Sequence, residues 1–324
     1  MSSPPEKLIA LGKKADANAA EAKAAVTKAA AAKHAPAPSF PLARVAPGDR
    51  WFDYCLEPYR PRRPPAGKLR AENLLWYSLE LAGLLDAARP PLEALQRSLG
   101  RDMTVFGVKT DGQRLFWELY LYDPRKEDPR ATVAGLRETL APWLELRPPV
   151  RESTPYMMVS FDLDADILAR GRVDELNLYL TGTEDHAGRS YVVREDGLEL
   201  ANTYRFLSPK RDIDTVLSLL TSSAFVDYDA APTTLAEVLI PELFACKKVC
   251  VAKKRTHDGV YFSGVDVDQL LWLLRRFPYP PALVAFAERC APELDHLYFD
   301  VGLDLQQGPD GRVAYPKTGF YGTL

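Results

Sequence analysis

The sequence predicts an α+β protein: an antiparallel β-barrel of about ten strands, built from repeated ββα units and surrounded by helices. Three observations predict it. Alternating segments recur in pairs joined by tight turns, amphipathic helical segments stand between most of the pairs, and the second face of the strands is rich in tyrosine and a few placed polar groups. An open solvated face favours Lys, Glu and Thr, whereas a lumen that holds an organic ligand needs aromatic walls.

With 324 residues, 47% of them hydrophobic and 26% charged, the chain can bury a sizeable core. Residues 1–45 read as an Ala/Lys-rich flexible tail ending in the Pro-rich linker APAPSFP, and residues 46–324 as a single barrel domain. An Ala/Lys helix has little apolar surface of its own. Within it, Leu8, Ile9 and Leu11 offer a short docking stripe, so residues 1–40 are a candidate segment for a protein partner.

The first folded segment, AENLLWYSLELAGLLDAARPPLEALQRSLG, has helical spacing, and Pro90 and Pro91 are expected to divide it into two helices. The hairpins follow. MTVFGVK and RLFWELYLYD flank the turn TDGQ, and ATVAGLRETLAPWLEL reads as the helix after them. YMMVSFDLD pairs with DELNLYLTG through a longer connection. SYVVRE and LELANTYRFLS flank DG and lead into RDIDTVLSLLTSS and TTLAEVLIPELF, both helical in pattern. KKVCVAKKR and VYFSGV flank THDG, followed by the helical DQLLWLLRRF and PPALVAFAERC. HLYFDVGLDL and RVAYPKTGFYGTL complete the set of five hairpins.

Parity assigns the faces. The apolar rows Leu115, Trp117, Leu119, Leu121 and Met157, Val159, Phe161, Leu163 belong to the helices. The opposite rows carry Phe116, Glu118, Tyr120, Tyr122, then Tyr156, Met158, Ser160, Asp162, then Glu175, Asn177, Tyr179, Thr181. On the later strands they carry Lys248, Cys250, Ala252, Lys254, then Tyr261 and Ser263. His296, Tyr298, Asp300, Gly302 and Asp304 form the next row, and Tyr315, Lys317, Gly319 and Tyr321 the last. Gly302 is read as space for a ligand. Parity leaves Lys109, Tyr204 and Arg205 ambiguous. Ten staves leave room for a small molecule inside, where about eight would be nearly filled by side chains.

This pattern of paired strands, intervening helices and a tyrosine-rich second face, over roughly residues 70 to 324, resembles the ABBA-type aromatic prenyltransferases. These are built from five αββα units whose ten antiparallel strands close into a barrel inside a ring of helices. The chain departs from that pattern between the second and third hairpins, where GTEDHAGRS stands in place of a clear helix. The resemblance implies a transferase of secondary metabolism that moves a prenyl group from an allylic diphosphate to an aromatic acceptor, an indole, a phenol or a peptide side chain. It implies no cofactor beyond the prenyl diphosphate co-substrate.

By the same resemblance, Lys109, Arg205, Lys248 or its neighbour Lys253, and Lys317 would hold the diphosphate. Tyr120, Tyr179, Tyr204, Tyr261, Tyr298 and Tyr321 would supply the π faces around the allylic cation. Glu118 is the first candidate to accept an indole N–H or phenol proton and Asp300 the second. A competing reading of the same lysines is that they pair with Asp162, Asp300 or Asp304. The discriminating geometry is whether at least three of the five cations converge within one diphosphate's width.

Other classes lack their signatures. The net charge of -3 and an isoelectric point near 5.9 give no phosphate-backbone footprint, so no nucleic-acid partner is expected. There is no DDxxD run, Walker loop, GxGxxG, HExxH or GxSxG, and metal-independent chemistry is the expectation. Cys55, Cys246, Cys250 and Cys290 make no zinc pattern and read as reduced structural thiols. His34, His186, His257 and His296 form no metal site and read as solvated or capping. No run is apolar enough to span a bilayer and no secretory h-region is present, so a cytoplasmic location is expected. A non-catalytic ligand-binding barrel, an open sheet that binds another protein, and a scaffold that docks through its tail are the alternatives.

Overall fold

The computed structural model describes residues 36–54, 57–122, 131–151, 153–181, 187–229 and 235–324. The docking stripe Leu8, Ile9 and Leu11, together with His34, Cys55 and His186, lies outside the described residues. Among the described residues, no helix is long and apolar enough to cross a membrane.

Ten long strands form one closed antiparallel barrel. They are β1 (Thr104–Thr110), β2 (Leu115–Tyr122), β3 (Met158–Leu163), β4 (Leu176–Thr181), β5 (Ala187–Arg194), β6 (Gly197–Leu207), β7 (Lys248–Lys254), β8 (Asp258–Val265), β9 (Phe299–Gln307) and β10 (Thr318–Thr323). Each strand pairs with its neighbour in sequence, and β10 returns to β1 with Gly107 opposite Tyr321. The alternation that suggested each hairpin is the cause of this arrangement, since one face of every stave meets apolar helices and the other meets the lumen. Trp117, Leu119, Phe161, Val249, Val251, Phe262, Val301 and Leu303 are buried on the outer face.

Seven helices are described around it: α1 (Glu72–Leu81), α2 (Leu85–Leu99), α3 (Val133–Leu140), α4 (Ala165–Arg170), α5 (Ile213–Thr221), α6 (Val267–Arg276) and α7 (Pro281–Leu294). The break between α1 and α2 falls at Gly83, not at the prolines. Gly83 has φ 69°, its N–H donates to the Glu80 carbonyl, and the Leu84 N–H reaches back to the Leu79 carbonyl. That is a left-handed helix terminus that only glycine adopts readily. Pro90 and Pro91 lie inside α2. The carbonyls they leave without donors belong to Asp86 and Ala87, which are exposed to water, so the helix tolerates both.

Other element boundaries also differ from expectation. ATVAGLRETLAPWLEL is helical only as α3, capped by Thr132, and its end forms a two-residue parallel pair, Glu145–Leu146 with Arg172–Val173. The long connection of the second hairpin contains α4, which Asp164 caps at the start and Gly171, at φ 62°, ends. Of TTLAEVLIPELF, the described residues make only a 3-10 turn at Leu235–Glu237, because Pro241 cannot continue a helix. Of GTEDHAGRS, read as standing in place of a helix, residues 182–186 lie outside the described residues and residues 187–190 already belong to β5.

Residues 36–45, expected as linker, are fixed against α1 and α2. The Pro36 carbonyl accepts from the Tyr77 hydroxyl, the Ala43 N–H donates to Asn73, and Phe40 is buried. Beyond them the chain crosses one end of the barrel as a strap, described over residues 49–54 and 57–59. The Tyr59 N–H donates to the Trp51 carbonyl, and the Arg50 N–H donates to Asp102 beside the start of β1. Buried Arg70 ties this strap to the barrel, contacting Asp49 at 2.5 Å, Asp102 at 2.5 Å and Glu72 at 3.1 Å.

Candidate active site

The lumen holds a cavity of about 390 Å³. It is lined from all sides by inward residues, including Glu118, Tyr120, Met158, Asp162, Tyr179, Asn202, Tyr204, Phe206, Cys250, Lys254, Tyr261, Asp300, Lys317 and Tyr321. Volume and lining suit a small organic ligand. Tyr54 enters from the strap and closes one end. Its ring lies 5.1 Å from Tyr120 and 5.0 Å from Tyr321, both edge-on. The half-exposed side chains Asp162 and Lys317 mark the other end, the mouth.

Two polar clusters stand at the mouth. In the first, Asp304 is buried and gathers three donors: Lys254 Nζ at 2.5 Å on Oδ1, with Lys317 Nζ at 3.1 Å and His257 Nε2 at 2.8 Å on Oδ2. Burial alone would raise the Asp304 pKa, but the charge of Lys254 and the contacts from His257 and Lys317 overcome it and hold the carboxyl well below its ordinary range. Lys254 itself is pulled down, first by burial and then by the like charges of Lys317 and Lys109, with Asp304 compensating in part.

In the second cluster, Glu118 Oε2 accepts from Lys109 and from the Tyr120 hydroxyl at 2.5 Å, while Oε1 accepts from Ser160. Lys109 also reaches Asp162 at 3.4 Å. Burial would raise Glu118, but the Lys109 ammonium and the three donors win, and its pKa lies below the ordinary value. The charges of Glu118 and Asp162 hold Lys109 above its ordinary value in spite of its burial. Glu118 is therefore a firm anion and a poor proton acceptor in this state.

Asp300 has the opposite character. Its oxygens accept from the Tyr54 N–H at 2.8 Å and from the Gly264 N–H at 3.2 Å, and Gly264, at φ 74°, sits where β8 slips register against β9. Burial, reinforced by the charge of Asp53, pushes its pKa up to about 7. A carboxyl in that range takes and returns a proton near neutrality.

The tyrosines make a continuous wall between these groups. Tyr120 and Tyr179 lie 6.2 Å apart, Tyr179 and Tyr204 6.1 Å, and Tyr261 and Tyr321 6.3 Å. Burial raises the pKa of each above the ordinary phenol value, so all remain neutral.

Several expected site residues lie elsewhere. Of the five expected cations only Lys109 and Lys317 line the lumen, so the convergence of at least three of them that discriminates the transferase is not met; the third lysine there, Lys254, is not one of the five. Arg205 pairs in register with Val251 on the outer face, and Lys253, also outward, makes a 2.7 Å ion pair with Asp258. Lys248 has inward parity but sits at the strap end, paired with Glu57. Tyr298 precedes β9 and packs beyond the strap, 5.0 Å from Tyr59, with Lys247 Nζ 3.9 Å from its ring centre. His296 is fully buried outside the lumen, edge-on to Trp51 at 5.1 Å, and burial drops its pKa to about 4. Tyr156 packs in the outer core, as does Tyr315, whose hydroxyl donates to the Glu237 carbonyl. His257 is neither solvated nor capping but a partner of Asp304.

Lys254, Tyr54, Asp162 and Asp304 are among the lumen groups that the expected site did not include, although parity puts all but Tyr54 on inward rows. Lys254 was signalled by the parity of Cys250 and Ala252; the strap that carries Tyr54 has no periodicity to announce it. Among the described residues, no three His, Cys, Asp or Glu side chains gather as a metal-ligand set.

Fold and lumen together define a closed ten-stranded antiparallel barrel ringed by helices, with a ligand-sized interior that is charged at the mouth and aromatic within. No protein family matches the chain, and no curated relative does. Among solved structures it is similar to PriB in a binary complex with product diphosphate, at 12% identity and a TM-score of 0.42, over 78% of this chain and 94% of that one. A likeness at that level says nothing of chemistry.

Proposed function

We propose that the lumen transfers a prenyl group from an allylic diphosphate to an aromatic acceptor, indole or phenol, without a metal ion. The observation that carries the reading is the meeting of three lysines, Lys109, Lys254 and Lys317, at the mouth of a cavity whose wall is tyrosine. The lysines bind the diphosphate and take up its charge as the allylic C–O bond breaks, the bonding pair leaving with oxygen. Tyr120, Tyr179, Tyr204, Tyr261, Tyr321 and Tyr54 surround the allylic cation with π faces and keep water from it. A π pair of the acceptor ring forms the new bond to carbon. Glu118 accepts the acceptor's N–H or O–H as a hydrogen bond and balances the ring cation, and Asp300 takes the ring proton that restores aromaticity.

A second reading, a non-catalytic ligand-binding barrel, is favoured by one observation: each lumen lysine already has a carboxylate partner, so the mouth carries little net charge. The test is incubation with dimethylallyl, geranyl and farnesyl diphosphates and a panel of indoles and phenols, with product mass as the readout, in the presence and absence of EDTA. Prenylated product that forms equally with EDTA is expected. Absence of both product and diphosphate binding sinks the transferase and leaves the binding barrel.

A further inference from the structure

The Lys109 ammonium stands between the two halves of the proposed chemistry. It is one of the three mouth cations, and it also occupies Oε2 of Glu118, the carboxylate to which the acceptor would bind. Tyr120 shares that oxygen and Ser160 takes the other, so only one of about four lone-pair positions stays open, on an anion whose charge is already neutralised. The resting protein therefore offers the acceptor a weakened partner.

Lys109 has somewhere else to go. Its stem is rooted opposite Gly319 on β10, two residues from Lys317, and a Cβ at Gly319 would lie 3.2 Å from Lys109 Cγ. The absence of that carbon leaves the flexible stem a path along the wall. Asp162, half-exposed at 3.4 Å, lies on the mouth side of the ammonium. A diphosphate held by Lys254 and Lys317 carries more negative charge than Glu118 and competes for the same cation.

We propose that Lys109 couples the two substrate sites: a diphosphate at the mouth draws it off Glu118, and the released carboxylate then binds the N–H or O–H of the acceptor. The proposal rests on the transferase reading and adds to it an order, donor before acceptor. Coupling of this kind is reciprocal and amounts to a factor of about 5 to 150 in affinity.

Calorimetric titration of the full chain with indole or phenol, alone and with saturating inorganic diphosphate, tests it. Diphosphate is expected to tighten acceptor binding tenfold or more, and acceptor to tighten diphosphate by the same factor. In Glu118→Gln diphosphate should still bind and the factor should fall to about one. If that variant does not fold, Lys109→Met gives the same loss of coupling, and the wild-type reciprocity stands without either. Saturable diphosphate binding with acceptor affinity unchanged within twofold, or no acceptor binding with diphosphate in place, overturns the coupling and leaves the transferase reading. Absence of diphosphate binding overturns both.

Discussion

Tyr261 on β8 stands directly opposite Gly302 on β9, and its ring covers the glycine so closely that a Cβ there would lie 2.5 Å from Tyr261 Cδ1. Gly107 seats Tyr321 in the same way, at 2.7 Å. The lumen glycines are thus not space for a ligand, as the row containing Gly302 suggested, but seats for the aromatic wall, the cross-strand device that shields a glycine in a sheet.

Gly302→Ala is expected to lower stability by about 1 to 3 kcal/mol, the ordinary range for overpacking, because the Tyr261 ring must move and its neighbour Tyr321 with it. Urea unfolding of the variant beside wild type measures it. A change below about 0.5 kcal/mol would mean that the seat is loose.

Removing the hub of the first mouth cluster should be severe. Asp304→Asn leaves Lys254 buried beside Lys317 without a counter-ion, and a loss of about 3 kcal/mol or more is expected. Because the folded-state pKa of Asp304 lies below its unfolded value of about 3.9, its stabilisation is present at neutral pH and is lost as pH falls through the carboxylate range. The variant should accordingly show a flatter acid limb in unfolding midpoint against pH.

Asp300 predicts the opposite slope. Its folded pKa, about 7, lies above the unfolded value of about 3.9, so the native state binds the extra proton and stability declines as pH rises from about 4 to 7, by at most about 1.4 kcal/mol per pH unit. Asp300→Asn removes that decline. Relative to wild type the variant should be more favoured at pH 8 than at pH 5, and equal differences at the two values would show that Asp300 does not titrate between them.

Lys254 and Lys248 share strand parity but not position. Lys254→Met is expected to weaken inorganic diphosphate tenfold or more, about 1.4 kcal/mol, whereas Lys248→Met, which touches Glu57 at the strap end, should change it less than twofold. Calorimetric titration separates them. Equal losses would place the anion site somewhere other than the mouth.

The barrel was legible because strand parity is a local property: Trp117 and Glu118 declare opposite faces from their immediate neighbours alone. Lys109, ambiguous by parity within its own strand, is placed by register, opposite Phe116 across its hairpin and opposite Gly319 on a strand some two hundred residues away. Arg205 and Lys253 were misplaced for a related reason. Their charge suggested the lumen, but a solvated or ion-paired cation is as stable on the outer face, and the register with Val251 and Asp258 decides. Tyr54 was invisible because its position depends on hydrogen bonds from a non-repeating strap to Asp300. Pro90 and Pro91 misled because exposed carbonyls can turn to water.

The return of β10 to β1 also fixes an order of events during synthesis. The stave that lies between β1 and β9 is Thr318–Thr323, the last of the ten in chain order, and the nine strands made before it must wait with unpaired edges until it emerges. While they wait, the faces of β1 and β9 that later flank Phe320 stay open to other chains. A pause in translation before Thr318, or loss of this stave, would leave a curled sheet with two free edges, and aggregation rather than misplacement of a side chain would be the first sign of trouble.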